Sequence, residues 1–145
     1  MIIEKSAIKY IHFGVIDIDL KCNLPKEKES MALDLEVDMS YDICKIEGER
    51  NIFQIVLELK LYTPNNLPGY NIYLKPYAVF ELPKNDDKKV IDKILIFTCI
   101  PMLLGSARGF IADTTTNFPL GKYFLPSLDM NGILAANPDN PAIQR

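Results

Sequence analysis

The sequence IFQIVLELKLY, residues 52–62, places an apolar side chain at every second position along its whole length. A period of two is typical of an antiparallel strand that buries one face and exposes the other. Residues 52–62 are therefore predicted to form such a strand. Its buried face would carry Phe53, Ile55, Leu57, Leu59 and Leu61.

Three further segments are predicted to be strands. Residues 70–82 follow the turn signal Asn65-Asn-Leu-Pro-Gly69, and Pro76 within them, which lacks an N–H, predicts an edge or a bend. Residues 8–20 direct Ile16, Ile18 and Leu20 inward, and Gly14 predicts a bulge or a change of face. Residues 31–41 alternate almost without fault, with one face formed by Met31, Leu33, Leu35, Val37, Met39 and Tyr41.

The period changes from strand to helix after residue 85. Asp86 and Asp87 are suitable N-cap residues, and Pro101 predicts a bend because it lacks an N–H and clashes with the preceding turn. The helix is expected to stop near residues 116–117. One helix face is predicted to carry Ile91, Ile94, Leu95, Thr98 and Met102. The predicted fold class is α+β, a four-stranded antiparallel sheet followed by a long bent helix.

Small residues recur past the bend of this helix, at Gly105, Gly109 and Ala112. Two glycines inside a helix cost about 2 kcal/mol relative to alanine, so some packing gain should offset them. We therefore expect a close helix–helix contact at these positions. A frayed helix end is the alternative.

Composition and charge bound the class of protein. The 145 residues fit one domain, with residues 135–145 expected to be a flexible tail. The net charge of −3 and the lack of a basic stripe argue against nucleic acid as a partner. Three scattered cysteines indicate a reducing compartment, and no signal peptide is recognised, which together favour the cytoplasm. Residues 94–104, the longest apolar run, are too few to insert across a membrane.

No catalytic or metal-binding pattern is recognised, so we expect neither an enzyme nor a cofactor. His12 is the single histidine and is interpreted as structural. Asp34, Glu36 and Asp38 share a strand face, but carboxylates two residues apart are spaced about 6.6–6.8 Å, too far to close on one ion. They are interpreted as a solvated face.

The order of these elements, with several local strings, resembles the SecB family of export chaperones. Residues 51–60 are similar to the third strand of that family, and residues 70–82 to its fourth. Ala107-Arg108 in the helix is followed by Asn117-Phe-Pro119, then by Leu125-Pro126 and Asp129-Met130. The resemblance covers roughly residues 4–134.

The resemblance implies a holdase chaperone that binds unfolded polypeptides and takes part in protein export. It also implies a homotetramer built as a dimer of dimers, with Gly105, Gly109 and Ala112 at helix contacts. The residues expected to dock the export motor ATPase are Asp17, Asp19 and Tyr73. Those expected to bind clients are Met39, Tyr41, Phe118, Leu120, Tyr123, Phe124 and Leu125, since aromatics and methionine offer large, adaptable contacts.

Three alternatives stay open at this point. The chain could be a chaperone of one unstable partner, such as an antitoxin. It could be a small-molecule-binding module or undetected enzyme with a pocket between sheet and helix. It could also be a purely structural interaction protein.

Overall fold

The computed structural model describes residues 1–26 and 34–132, together with the backbone of residues 143–144. An antiparallel sheet is formed by β1 (Lys9–Asn23), β2 (Glu36–Ile46), β3 (Ile52–Tyr62) and β4 (Gly69–Glu81). The spatial order is β1-β4-β3-β2-β5, where β5 (Ile143–Gln144) runs parallel to β2 at the sheet edge. The remaining residues of the predicted tail lie outside the described residues, so the tail stays a prediction.

The two central strands match the predicted alternation. β3 has the predicted bounds, and Leu57 and Leu59 at its centre are fully buried. On β4 and just after it, the predicted inward residues are all buried: Tyr70, Ile72, Leu74, Ala78, Phe80 and Leu82. The predicted strand 31–41 is described from residue 34 onward, and β2 begins at Glu36, while residues 27–33 lie outside the described residues.

The prediction of an edge at Pro76 is wrong, because β4 lies between β1 and β3. Both neighbouring strands are irregular beside Pro76. Pro76 pairs with Val15, and a register shift between Val15 and Asp17 leaves Ile16 as an extra residue. The ladder between β3 and β4 is interrupted at Pro76, between the pairs Val56–Tyr77 and Leu59–Leu74, so the N–H that Pro76 lacks is missing on the β3 side.

The bulges of β1 also correct the predictions for that strand. They lie between Tyr10 and His12 and between Val15 and Asp17, whereas Gly14 keeps a regular pair with Tyr77. A Cβ at Gly14 would lie 2.5 Å from Cε1 of Tyr77, so a larger residue there would displace the Tyr77 ring. Ile16, predicted to face inward, is 52% exposed because it is the bulged residue.

After that bulge the predicted phase of β1 returns. Ile18 pairs with Leu74 and Leu20 with Ile72, and paired residues of antiparallel strands share a face. Both therefore lie on the core side of the sheet, although Ile18 is 37% exposed at this edge strand.

One continuous helix, Lys88–Thr115, follows the sheet. It consists of α1 (Lys88–Ile94), a π-helical turn (Leu95–Cys99) and α2 (Ile100–Thr115). The predicted N-cap is confirmed, since the Asp87 carboxylate accepts a 2.9 Å hydrogen bond from the N–H of Lys89. The π-helical turn comes directly before Pro101, where the regular hydrogen-bond ladder would be broken.

The π-helical turn changes which helix side chains reach the core. Thr98 and Met102, predicted to lie on the buried face, are exposed, Met102 by 37%. Buried residues recur instead at every fourth position, with further buried residues beside them: Ile91, Leu95, Cys99, Leu103, Ala107, Ile111 and Thr115, together with Ile96, Ile100, Leu104 and Ala112. The helical prediction is therefore right in extent and N-cap but wrong in phase beyond Leu95.

The helix is longer than the apolar run recognised in the sequence. With 28 residues and a mean hydropathy of 1.8 in its most apolar window, it could cross a membrane by length and composition alone. Within that window 44% is buried inside the subunit. Core helices of globular domains have the same character when their apolar side packs on a sheet.

The Cys99 thiol lies in the core between helix and sheet, fully buried. Burial raises its pKa from the ordinary value of 9.0 to about 12. As the pH rises, the unfolded chain loses this proton first, so the free energy of unfolding should fall between about pH 9 and pH 12.

Urea unfolding at pH 8 and at pH 10.5 measures this effect. Burial also raises the pKa of Tyr10 and of Tyr70. A Cys99→Ala variant should therefore still lose stability between pH 8 and pH 10.5, but its free energy of unfolding should fall by less than that of the parent. An identical slope in both proteins would contradict the assignment to Cys99.

Candidate functional site

The chain leaves the helix at Thr115 and returns over the core, and we call residues 117–130 the crossing segment. Its first turn is closed by the N–H of Gly121, which donates to the carbonyl of Phe118 at 2.8 Å. Gly121 has a φ of 81°, which glycine adopts without strain. The Tyr70 hydroxyl at the start of β4 donates to the Gly121 carbonyl and so fixes this turn to the sheet.

Two helix side chains hold the crossing segment. The buried Thr115 hydroxyl donates to the Ile111 carbonyl at 2.8 Å and accepts a 2.8 Å hydrogen bond from the N–H of Tyr123. The Arg108 guanidinium donates from Nε to the Leu125 carbonyl at 2.7 Å. The apolar segment is therefore ordered through its main chain, and its side chains are left to pack or to face outward.

An aromatic cluster forms where the crossing segment meets the sheet. The ring centroid of Tyr70 lies 6.2 Å from that of Phe118 and 6.1 Å from that of Tyr123. Burial, with a smaller contribution from the charge of Asp34, raises the pKa of the Tyr123 phenol. Because Asp34 comes just before β2, the crossing segment reaches the sheet near the start of that strand.

The predicted client-binding residues fall into three degrees of burial. Leu125 is 1% exposed and belongs to the core, whereas Phe124 next to it is 61% exposed. The others are half-buried and pack against the core from β2 or from the crossing segment: Met39, Tyr41, Phe118, Leu120 and Tyr123. We call these five residues and Phe124 the apolar surface.

The residues predicted for subunit contacts do not share one surface. Gly105 and Gly109 are exposed, and a Cβ added at either would meet nothing within 4 Å. Ala112 is buried within the subunit, 5% exposed. Phe97 and Met102 extend the exposed side of the helix, and these two residues with Gly105 and Gly109 form what we call the helix stripe.

The residues predicted to dock an export motor lie on the sheet face opposite the helix. Asp17 and Asp19 are exposed, and Tyr73 is half-buried. The Tyr73 hydroxyl donates a 2.8 Å hydrogen bond to the Glu58 carboxylate, which lowers the pKa of Glu58. The Glu58 carboxylate of β3 is thus held beside Tyr73. Glu58 is not among the residues singled out from the sequence.

His12 lies on the same outer face. Its Nε2 is 2.9 Å from the Tyr77 hydroxyl, in agreement with a structural interpretation. Among residues 1–26 and 34–132, no group of three or more histidine, cysteine, aspartate or glutamate side chains could hold a metal ion.

Sequence reasoning misses the residues that shape the apolar surface from beneath. The alternation of β4 predicts that Tyr70 is buried but not that its hydroxyl bonds to Gly121. Arg108 is named in the sequence only as part of the family resemblance, not for its hydrogen bond to Leu125. Thr115 carries no signal strong enough to single it out. A threonine near a helix end usually bonds a carbonyl of the preceding turn and need not contact anything else.

No protein-family model matches the sequence, and no curated protein matches it. Several solved structures are similar in fold, among them the following two. One is a Mycobacterium tuberculosis SecB-like chaperone in complex with a ChAD peptide from the HigA1 antitoxin, with a TM-score of 0.61 and 13% identity. The match covers 84% of this chain and 91% of that one.

This chain has the SecB-like fold. The predicted fold class and the resemblance to that family are confirmed at this level. A protein of unknown function from Streptococcus agalactiae is also similar, with a TM-score of 0.51, 11% identity, and coverage of 83% of this chain and 97% of that one. At sequence identities this low, the similarity to both structures is one of fold alone.

Proposed function

We propose that this protein is a holdase chaperone that binds extended, apolar segments of non-native polypeptides at the apolar surface. The observation that carries the proposal is the arrangement of the crossing segment. Its main chain is fixed by Thr115, Arg108 and Tyr70, while Phe124 is 61% exposed. The SecB-like fold supports it.

The composition of the apolar surface suits clients of varied sequence. Methionine and tyrosine on β2 and aromatic side chains on the crossing segment give large contact areas that repack at low cost. Half-buried side chains gain further burial when a client covers them, at about 25 cal/mol for each Å² of apolar area. The space between sheet and helix is filled by buried side chains, which does not favour a small-molecule pocket there.

The client-binding proposal is tested with a fluorescently labelled, reduced and carboxymethylated α-lactalbumin, which cannot refold. We expect the parent chain to bind it and to suppress aggregation of an unfolded client in light scattering. Phe124→Ala should weaken binding about 5- to 30-fold, since aromatic hot spots contribute about 1–2 kcal/mol or more.

The matched control is Ile46→Ala. Ile46 is 40% exposed at the end of β2 and pairs with Ile52, on the face away from the crossing segment. It should leave the affinity unchanged. Absence of binding by the parent chain would reject the holdase function, and equal losses in both variants would reject the apolar surface as its site.

We also propose that copies of the chain associate through the helix stripe, as a tetramer. Gly109→Leu fits the isolated subunit, since its Cβ would meet nothing within 4 Å, but should obstruct a close helix contact. Size-exclusion chromatography with light scattering should give a tetramer for the parent and a smaller species for Gly109→Leu. Gly109→Ala, which keeps a small residue, should stay tetrameric, and a monomeric parent would contradict the proposal.

A chaperone dedicated to one partner is the second candidate. It is favoured by the peptide from an antitoxin bound to the M. tuberculosis SecB-like chaperone. A dedicated chaperone would bind one protein encoded near it far more tightly than the carboxymethylated α-lactalbumin, whereas a general holdase would bind both alike.

Delivery to an export motor in the cytoplasm, through Asp17, Asp19 and Tyr73, is a further proposal that an ATPase pull-down with the Asp17→Asn/Asp19→Asn variant tests.

A further inference from the structure

β2 is the outermost of the four long strands on its side of the sheet, and its outer face changes in character along its length. In the first part Glu36, Asp38 and Asp42 are all exposed carboxylates. An antiparallel pairing of this part with the β2 of a second copy, centred on Met39, would place Glu36 opposite Asp42. Like charges directly opposite each other are destabilising, so the first part of β2 resists such a pairing by its charge.

The last part of β2 lacks this protection. Residues 43–46 include no carboxylate. β5 pairs with this part of the strand, Ile43 with Ile143 and Cys44 with Gln144, and runs parallel to it. The chain thus adds a short strand of its own at the point where the carboxylates of β2 end.

We propose that β5 is an edge guard, which occupies the last part of β2 and so prevents the β2 strands of two copies from pairing there. Without β5, an antiparallel pairing centred on Cys44 would place Asp42 opposite Ile46 and Ile43 opposite Lys45, so no like charges would meet. Strand edges left in this state associate with copies of themselves. The edge guard is independent of the proposed chaperone function, because it concerns contacts between copies of the chain alone.

The first test compares the full chain with a variant that lacks residues 143–145, by size-exclusion chromatography with light scattering. The truncated chain should form species of at least about twice the mass of the parent, increasingly so at higher concentration, because each uncovered edge joins a further copy. Cys44→Asp in the truncated chain should restore the mass of the parent, since two carboxylates would then meet at the centre of the pairing. Equal masses of the truncated and full chains overturn the proposal.

Cys44 also reports the contact directly. Opposed residues of paired antiparallel strands have their Cα atoms about 4.5–5.5 Å apart, which is within the range of a disulfide. Mild oxidation should therefore give a covalent dimer of the truncated chain and much less of it from the full chain. The other cysteines are the half-buried Cys22 and the buried Cys99. A covalent dimer that persists after Cys44→Ser in the truncated chain overturns the assignment of the contact to β2.

Two full-length variants separate main-chain pairing from side-chain effects. Ile143→Pro/Gln144→Pro removes both N–H donors of β5, so it should associate like the truncated chain. Ile143→Ala/Gln144→Ala keeps these donors and should have the mass of the parent. An alanine variant that associates as strongly as the truncated chain overturns strand pairing as the means by which β5 guards the edge.

Discussion

Replacement of Phe80 by alanine is expected to lower the free energy of unfolding by about 3–5 kcal/mol, because it removes a large ring from the core. Phe80 is fully buried on β4, one of the two central strands of the four-stranded antiparallel sheet. It pairs with Phe53 on β3, and its ring centroid lies 4.7 Å from that of Tyr10 on β1. Loss of the Phe80 ring would leave a cavity between β1, β3 and β4, which the hydrogen-bonded strands cannot fill by moving closer.

Equilibrium unfolding in urea, followed by circular dichroism, measures this loss. Phe80→Leu keeps most of the volume and should cost clearly less than the alanine change. Phe124→Ala removes the same ring from a residue that is 61% exposed and should stay within about 0.5 kcal/mol of the parent. Comparable losses for Phe80→Ala and Phe124→Ala would contradict the burial described for these two residues.

Thr115→Val is the second large change, with an expected loss of about 1–3 kcal/mol in the free energy of unfolding. Valine has nearly the shape of threonine but cannot accept the hydrogen bond from the N–H of Tyr123. The N–H of Tyr123, which is half-buried, would lose its partner, and a polar group left unpaired in this way costs an amount toward the lower end of that range. The crossing segment should become looser, so the variant should also bind the unfolded client differently from the parent.

Hydrogen exchange resolves the local effect from the global one. Residues 118–125 should exchange faster in Thr115→Val, while the amides of β3 keep their protection at the same denaturant concentration. Thr115→Ser loses only a methyl group and keeps the hydroxyl, so it should preserve protection of the crossing segment. A Thr115→Val variant with a fully protected crossing segment would show that this hydrogen bond does not hold it.

The sheet is largely predictable because its signal is local. In β3 the hydropathy of each side chain predicts which face of the sheet it lies on. The buried face of Phe53, Ile55 and Leu57 can therefore be predicted without knowing which strand pairs with β3. The position of β4 in the sheet is not predictable, since a proline is expected at an edge, whereas Pro76 lies in an interior strand at a gap in the ladder to β3 and opposite a bulge in β1. Both features depend on partner strands, and the bulge lies some sixty positions earlier in the chain.

The phase of the helix fails for a related reason. The prediction extends a regular spacing from Ile91 through Thr98 to Met102, which an uninterrupted α-helix would follow. The π-helical turn before Pro101 makes Cys99 and Leu103 the buried residues instead. Nothing in a periodicity argument reveals such a turn in advance, although the proline marks where to expect one.

The candidate site is predictable in outline. The prolines and glycine of residues 118–126 exclude a regular strand, and the exposed Phe124 agrees with a surface role. The burial of Leu125 is not foreseen, because an irregular segment has no period from which the orientation of a side chain can be read. The hydrogen bonds of Thr115 and Arg108 to that segment span 8 and 17 positions and depend on the fold being formed.

The π-helical turn also sets how the two ends of the helix are oriented relative to each other. Each residue of an α-helix advances the chain by about 100° around the axis, and a π-helical turn absorbs about one extra residue. A chain with one residue deleted between Leu95 and Cys99 could form an uninterrupted α-helix that leaves Gly105 and Gly109 in their present orientation. If the turn became α-helical without a deletion, Gly105 and Gly109 would instead be rotated by about 100°. The π-helical turn therefore sets the rotation of the second half of the helix: a single deletion within it should be tolerated, whereas a single insertion should turn Gly105 and Gly109 away from their present direction.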